Sequence, residues 1–223
     1  MLIAGFQKTS FVDFPGRISA VVFTPGCNMR CWYCHNSHIN AGEVELIEES
    51  EVMEHLHRRK DILDGVVISG GEPTLQRDLR EFILRIRQLG CAVKLDTNGT
   101  SPRVLAGLLT DGLLDYVAMD IKAPLDSYKK MTCTDDDMSA IRRSINLLIN
   151  SGVDYEFRTT LAPGLTPEDI EAIADDISGA KRYFLQQYRK ISPDSPSPLP
   201  PSEVERAAQL ARERLGTCEV RGL

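Results

Sequence analysis

The sequence has neither an excess of positive charge nor a long hydrophobic run. Lys and Arg together number 26 against 32 Asp and Glu, which gives a formal net charge of −6. This balance argues against a nucleic-acid-binding face built from basic residues. No stretch approaches 18 consecutive apolar residues, so no transmembrane helix is predicted. Residues 1–17 lack the basic and long apolar regions of a signal peptide. We therefore expect a cytoplasmic protein that binds neither nucleic acid nor membrane.

Histidine and cysteine are scarce, with four and six copies respectively. None of the histidines falls into an obvious catalytic triad, and cytoplasmic cysteines rarely form disulfides. Three of the cysteines, Cys91, Cys133 and Cys218, are too dispersed for a second metal cluster. We expect these three to be buried as small hydrophobic residues. The other three lie close together, which indicates metal binding or catalysis.

Short apolar runs rich in β-branched residues predict six strands. The runs span 18–24, 65–69, 91–95, 114–121, 153–161 and 182–188. Such near-continuous runs are typical of parallel strands that are covered on both faces. The hydrophobic content of 42% over 223 residues fits one domain covering 1–223.

Amphipathic segments lie between or after the predicted strands and predict helices over 49–63, 75–90, 101–112, 135–152, 166–178 and 201–216. Ser101 and Pro102 have the pattern of an N-cap followed by the first helical residue, and Thr166 with Asp169 resembles a capping box. Alternating strands and helices imply a parallel sheet. Six strands are too few for a closed eight-stranded barrel. The expected fold class is therefore α/β, a partial (β/α)6 TIM-like barrel that is open on one side.

Polar sequences stand at the carboxyl ends of five predicted strands. They read CNMRCWYCHN, GGEPT, DTNG, DIK and LQQY in chain order. Parallel α/β folds place their active sites along this edge of the sheet. We expect the five polar sequences to converge on one cleft.

Cys27, Cys31 and Cys34 have the spacing C-x3-C-x2-C, which is one ligand short of a four-ligand site. A structural zinc ion would need His35 or His38 as the fourth ligand. His35 directly follows Cys34, and adjacent residues rarely reach one tetrahedral ion together. A cubane iron–sulfur cluster normally takes four thiolates, so three would leave one iron open.

The cysteine spacing, with Tyr33 before the third cysteine, resembles the signature of the radical S-adenosylmethionine (radical SAM) superfamily. The string FQKTSFVDFPGRISAVVFTPGCNMRCWYCHN is similar to the glycyl-radical-enzyme activases. Among them it most resembles anaerobic ribonucleoside-triphosphate reductase activating proteins, with pyruvate formate-lyase activating enzymes as close relatives. The strings SGGEPTLQ, LDTNG and MDIKAP also match, so the resemblance covers essentially the whole chain.

The resemblance implies a [4Fe–4S] cluster on Cys27, Cys31 and Cys34. The amino and carboxylate groups of S-adenosylmethionine would chelate the fourth iron, which explains the missing ligand. It further implies that Asn36 stabilises the cluster loop, and that Tyr33 and the backbone after it, through His35, contact adenine.

The other motifs imply further cofactor contacts. The residues concerned are Gly70, Gly71 and Glu72 for the methionine amino group, Asp96, Thr97 and Asn98 of the DTNG motif, Asp120 and Lys122 of the DxK motif, and Gln187 at the end of the last strand. Lys122 would face the methionine carboxylate or the ribose. The resemblance also suggests a monovalent cation between Asp96 and Asp120. Arg158 either reaches the cleft or forms a salt-bridged wall.

The implied activity is hydrogen abstraction from a glycine of a partner protein. A flavodoxin- or ferredoxin-type reductant would reduce the cluster, and reductive cleavage of S-adenosylmethionine would yield a 5′-deoxyadenosyl radical. Gln186 and Gln187 stand where pyruvate formate-lyase activases carry a cofactor-contacting histidine, which favours a glycyl-radical enzyme of the anaerobic ribonucleotide reductase type as the partner. A radical SAM enzyme acting on a small molecule, such as a carboxy-deazaguanine synthase, would share every cofactor motif. A non-enzymatic iron–sulfur electron carrier would need none of the GGE, DTNG and DIK motifs.

Overall fold

The computed structural model describes residues 1–40, 44–135 and 137–222. Its eight strands form one sheet in the order β1 to β8. The strands are β1 Gly5–Ser10, β2 Ser19–Thr24, β3 Gly65–Gly70, β4 Ala92–Thr97, β5 Tyr116–Asp120, β6 Asp154–Leu161, β7 Tyr183–Gln187 and β8 Glu219–Arg221. The helices are α1 Ser37–Asn40, α2 Glu49–Arg59, α3 Leu79–Gln88, α4 Pro102–Thr110, α5 Lys129–Thr132, α6 Met138–Ile149, α7 Pro167–Asp176 and α8 Pro201–Leu215.

The sheet is almost entirely parallel. Strands β2 to β8 pair in parallel with their neighbours, whereas β1 pairs antiparallel with β2. Within the described residues β1 and β8 do not pair with each other, so the barrel stays open at that side. The expected α/β fold with a partial TIM-like barrel is confirmed.

All six predicted strands and all six predicted long helices are present, and two strands were missed. Strand β1, GFQKTS, exposes Gln7, Lys8 and Thr9 at the sheet edge, so it carries little apolar signal. Strand β8 has only three residues, which is too short for a periodic pattern. The helix predicted over 135–152 begins at Met138; residue 136 of that prediction lies outside the described residues.

The two faces of the sheet have different surroundings. On the outer face, Val66 and Ile68 of β3 belong to a large core that includes Phe82, Ile83 and Ile86 of α3. On the inner face, the lower part of the barrel is filled by a separate apolar cluster of Phe14, Val21, Val67, Ala92 and Tyr116. The floor of the barrel is therefore apolar and filled, and the polar residues concentrate at the carboxyl ends of the strands.

Local sequence signals explain where several helices begin. Thr166 and Asp169 form the reciprocal capping box at the start of α7, as predicted. Pro102 is the first residue of α4, but the Ser101 side chain makes no capping hydrogen bond. In the described part of the chain, no helix combines the length and hydrophobicity of a membrane span.

The dispersed cysteines divide into two groups. Cys91 and Cys218 are buried, as expected, whereas Cys133 is exposed. The expectation for Cys133 is wrong because it ends helix α5 with φ of 55°, at a surface turn rather than in the core.

Candidate active site

Residues from the carboxyl ends of successive strands line one cavity of about 250 Å³. The predicted site residues found there are Cys27, Cys31, Tyr33, Cys34, His35, Asn36, Gly70, Gly71, Asp96, Thr97, Asn98, Asp120 and Lys122. Arg158 and Gln186, whose roles the sequence left open, also line the cavity. Four further lining residues were not predicted: Met29, Asn40, Ser69 and Thr160. Ser69 directly precedes the GGE motif, and Thr160 is two residues after Arg158 on the same face of β6. The two-residue spacing from Arg158 is the signal that could have predicted Thr160.

The cysteine loop presents its sulfur atoms to nitrogen donors. The Met29 backbone N–H donates to Cys27 Sγ at 3.4 Å. The side-chain amides of Asn98 and Asn40 donate to Cys27 Sγ and Cys34 Sγ, each at 3.8 Å. Such hydrogen bonds stabilise thiolates and are one of the means by which proteins tune iron–sulfur clusters. The donor set therefore fits a cluster held by three thiolates.

The arrangement of the metal-binding side chains does not suit a mononuclear ion. Among the described residues, no three His, Cys, Asp or Glu side chains converge on a point that one metal ion could occupy. A structural zinc ion needs all its ligands within about 2.0–2.3 Å. In a cubane cluster each thiolate binds a different iron, so the thiols lie farther apart.

Burial affects the acidity of the cluster ligands. It raises the pKa of the Cys27 thiol and raises the pKa of the Cys31 thiol to about 11, while the positive charge of Lys122 partly opposes both shifts. The thiolate is the form that binds iron. Cluster binding therefore releases protons from these thiols.

Two glycines at the end of β3, Gly70 and Gly71, allow the backbone to pass close to the end of β2 and to the start of the cysteine loop. A Cβ atom at Gly71 would lie 1.9 Å from the Gly26 carbonyl oxygen, and one at Gly70 would lie 2.4 Å from the Thr24 nitrogen. The Asn36 side-chain amide donates to the Gly70 carbonyl at 3.0 Å. The cysteine loop is thereby fixed against the glycine turn.

Glu72 does not line this cavity, although the resemblance implied a direct contact with the cofactor. Its buried carboxylate accepts hydrogen bonds from the Thr74 N–H at 3.1 Å, the Thr74 hydroxyl at 2.6 Å, the Thr97 hydroxyl at 2.8 Å and the Asn98 N–H at 2.6 Å. It also caps the short 3₁₀ helix Pro73–Leu75. Burial nonetheless raises the pKa of Glu72. The structure thus places Glu72 behind the cavity wall, where it joins the GGE and DTNG motifs.

Asp96 and Asp120 are joined by Arg158. The Arg158 guanidinium donates from Nε to Asp120 Oδ1 at 2.8 Å and from Nη1 to Asp96 Oδ2 at 3.4 Å. Lys94 Nζ lies 2.5 Å from Asp96 Oδ1, and Lys122 Nζ lies 3.0 Å from Asp120 Oδ2. Although burial opposes ionisation, these cations hold the pKa of both aspartates below the usual value. Arg158 is therefore both a salt-bridged wall residue and a residue of the cavity.

An aromatic cluster forms the side of the cavity next to the cysteines. Tyr33 is buried, and its ring packs edge-on against Trp32 with 5.4 Å between the ring centroids. The Tyr33 hydroxyl has no hydrogen-bond partner among the described residues. His35 is exposed, with its ring 6.4 Å from that of Tyr188.

The two glutamines at the end of β7 have different surroundings. Gln186 lines the cavity, whereas Gln187 donates to the Leu199 carbonyl at 2.8 Å, in the proline-rich segment before α8. Successive strand residues face opposite sides of a sheet, so only one of the pair faces inward. Gln186 therefore faces the cavity, whereas the Gln187 side chain contacts the segment before α8.

Comparisons with known proteins identify the family of the chain. The sequence model described as the Radical SAM superfamily matches residues 21–177. A Methanocaldococcus jannaschii protein named glycyl-radical enzyme activating enzyme MJ1227 is 39% identical over 195 residues, covering 84% of this chain and 80% of the relative. The pyruvate formate-lyase-activating enzyme of Clostridium pasteurianum is 34% identical over 194 residues, covering 80% of this chain and 77% of the relative.

A solved structure shows the same fold. Streptococcus suis SuiB, bound to its precursor peptide SuiA, matches with a TM-score of 0.71 at 14% identity, covering 91% of this chain and 48% of SuiB. The family uses a [4Fe–4S] cluster and S-adenosylmethionine, and the sulfur and nitrogen groups of the cavity fit both. The chain belongs to the radical SAM superfamily and is a glycyl-radical-enzyme activating enzyme.

Proposed function

We propose that this activating enzyme acts on an anaerobic ribonucleoside-triphosphate reductase. The observation that carries the proposal is Gln186, which lines the cavity at the end of β7. The related pyruvate formate-lyase activases are expected to carry a cofactor-contacting histidine at this strand end. A neutral amide at this position separates the chain from that group and favours the reductase-activating type.

We assign the [4Fe–4S] cluster to Cys27, Cys31 and Cys34, and S-adenosylmethionine to the cavity beside them. When bound, the cluster supplies the electron that cleaves the sulfonium group of the cofactor. The chain itself binds and orients the cofactor. The glycine turn at Gly70 and Gly71 lets backbone groups approach the methionine amino group.

The charges of the cavity wall fit the rest of the methionine moiety. Lys122 and Arg158 line the cavity, and Lys94 lies buried beside Asp96. These three cations exceed the carboxylates Asp96 and Asp120 by one positive charge. We assign this excess to the methionine carboxylate, with Lys122 as its nearest partner. The same ammonium group partly opposes the rise that burial causes in the pKa of the Cys27 and Cys31 thiols.

The open side of the barrel suits a protein substrate. We propose that an extended loop of a partner protein reaches the cavity at this side, where β1 and β8 do not pair within the described residues. A small-molecule radical SAM enzyme would instead need a closed pocket. We also propose that the protein is cytoplasmic and that residues 1–223 form one domain. A flavodoxin- or ferredoxin-type protein would reduce the cluster.

The test is an anaerobic activation assay with two candidate partners. The reconstituted protein, S-adenosylmethionine and a reductant are mixed with an anaerobic ribonucleotide reductase or with pyruvate formate-lyase. Electron spin resonance then detects the doublet of a glycyl radical. The proposal predicts the doublet with the reductase and none in a Cys31→Ala control. A doublet with pyruvate formate-lyase alone would overturn the choice of partner and leave the family assignment intact. The assay uses dithionite as the reductant. Repeating it with flavodoxin or ferredoxin in place of dithionite tests which protein can reduce the cluster.

A further inference from the structure

Lys94 is a buried lysine that the family motifs do not include. It lies in β4, two residues before Asp96, and its side chain is only 3% exposed. Its ammonium group lies 2.5 Å from Asp96 Oδ1 and 6.0 Å from the centroid of the Tyr116 ring. A buried ammonium group is costly unless it is paired. The interaction of Lys94 with Asp96 is therefore what keeps this charge inside the barrel.

Every carboxylate oxygen of Asp96 and Asp120 has a protein donor. Lys94 contacts Asp96 Oδ1, while Ser69 Oγ at 3.2 Å and Arg158 Nη1 at 3.4 Å contact Asp96 Oδ2. Arg158 Nε donates to Asp120 Oδ1 at 2.8 Å, and the Lys122 ammonium donates to Asp120 Oδ2 at 3.0 Å. The position between the two aspartates is taken by the Arg158 guanidinium.

These residues do not fit the monovalent cation that the family resemblance suggested. A K⁺ or Na⁺ ion bound between Asp96 and Asp120 would compete with the Arg158 guanidinium, which already contacts both carboxylates. It would also lie beside three positive charges, and the Arg158 and Lys94 side chains are only 13% and 3% exposed. Repulsion between like charges is poorly screened in such an environment.

We infer that Lys94 and Arg158 take the place of a bound monovalent cation, so that this enzyme holds its cofactor without free K⁺ or Na⁺. Arg158 bridges the two aspartates, and Lys94 supplies the second positive charge that Asp96 requires. Both are positioning residues, because they fix the aspartates rather than the reacting atoms. The inference uses the proposed location of S-adenosylmethionine, but measurements on the cofactor-free protein test its cation claim separately.

The first experiment measures S-adenosylmethionine binding to the reconstituted wild-type enzyme by anaerobic calorimetry. The buffers contain KCl, NaCl or tetramethylammonium chloride at equal ionic strength, since tetramethylammonium is too large to enter the site. We expect the three dissociation constants to agree within about twofold, which corresponds to negligible coupling between cation and cofactor. A loss of about tenfold or more in tetramethylammonium, reversed by K⁺ or Na⁺, would overturn the inference.

The second experiment creates a cation site. Lys94→Met removes the charge with little change in side-chain length, so Asp96 Oδ1 loses its donor. Binding in tetramethylammonium is expected to weaken at least about fivefold and to recover in KCl or NaCl, a coupling of the usual size between two sites. Lys94→Arg should keep the wild-type behaviour, and Lys190→Met, at an exposed lysine, is the matched control. If Lys94→Met binds equally well in all three salts, Lys94 does not act as the cation.

Thermal unfolding of the cofactor-free protein gives a readout that is independent of the cofactor. The wild-type midpoint should be the same in the three salts, whereas Lys94→Met should be stabilised by KCl relative to tetramethylammonium. If the wild type fails to bind S-adenosylmethionine in any salt, the proposed cofactor site is wrong, and the unfolding series still decides whether the aspartates bind a free cation. If Lys94→Met does not fold, the wild-type salt series decides.

Discussion

Glu72 accepts a hydrogen bond from the backbone N–H of Asn98 at 2.6 Å. This bond joins the loop after β3 to the loop after β4, and the Thr97 hydroxyl adds a second link at 2.8 Å. The carboxylate is buried, and both of its oxygens accept hydrogen bonds. Glu72 therefore joins the two loops.

Replacing Glu72 tests this role. In Glu72→Ala the Thr97 hydroxyl and the N–H groups of Thr74 and Asn98 lose their acceptor, and each buried donor left without a partner costs about 1–3 kcal/mol. We expect the free energy of unfolding of the cofactor-free protein, measured in urea, to fall by about 2–5 kcal/mol. S-adenosylmethionine binding should weaken as well. Glu51→Ala, at an exposed position in α2, is the control, and equal stability of the two variants would exclude the joining role.

A substitution at Gly71 tests the close approach of the glycine turn to the cysteine loop. An alanine Cβ there would lie 1.9 Å from the Gly26 carbonyl oxygen, so Gly71→Ala must push the cysteine loop away from the glycine turn. The variant should lose most of its cluster absorbance after iron and sulfide reconstitution. Gly107→Ala is the matched control, because a Cβ at that position of α4 meets no atom within 4 Å. The control should bind a full cluster and gain roughly 0.5–1 kcal/mol in stability. A full cluster in Gly71→Ala would contradict the geometry.

The aspartate pair predicts an acid dependence of stability. The folded-state pKa values of Asp96 and Asp120 lie below their usual value of 3.8. Their contribution to stability is therefore present above about pH 4 and is lost as the pH falls through the lowered folded-state values. Glu72 has the opposite effect on the pH dependence of stability, because burial raises its pKa and its ionisation therefore lowers the stability of the folded state.

Asp120→Asn isolates this contribution. The variant should unfold at a lower temperature than the wild type at neutral pH, and the difference should shrink as the pH falls below about 4. Calorimetry of the cofactor-free proteins over this pH range measures both effects. A difference that stays constant with pH would show that the Asp120 charge contributes nothing.

The exposed position of Cys133 predicts selective labelling. In the cluster-loaded enzyme, anaerobic iodoacetamide should modify Cys133 and spare the buried Cys91 and Cys218, the latter with its pKa raised by burial to about 12. Peptide mass spectrometry identifies the labelled site. Cys133→Ser should abolish the labelling and retain the cluster. Labelling of Cys91 or Cys218 at the same rate would contradict the structure.

The sequence predicted the cysteine site and the main motifs because their residues are adjacent in the chain and stand at strand ends. It misassigned Glu72, since a motif identifies the residue but not which of its neighbours donate hydrogen bonds. It chose Gln187 over Gln186 because the inward face of β7 depends on the strand's position in the sheet. Lys94 was not recognised, because its role as the ion-pair partner of Asp96 depends on its burial beside that residue. The edge strands β1 and β8 carry too little apolar pattern to be detected.

We assign Cys27, Cys31 and Cys34 to a cluster whose open position receives S-adenosylmethionine. The most direct measurement is anaerobic incubation of the reconstituted chain with S-adenosylmethionine and dithionite, followed by chromatography. We predict equal amounts of methionine and 5′-deoxyadenosine, and neither product with Cys31→Ala. Absence of both products from wild-type protein with an intact cluster would contradict the account.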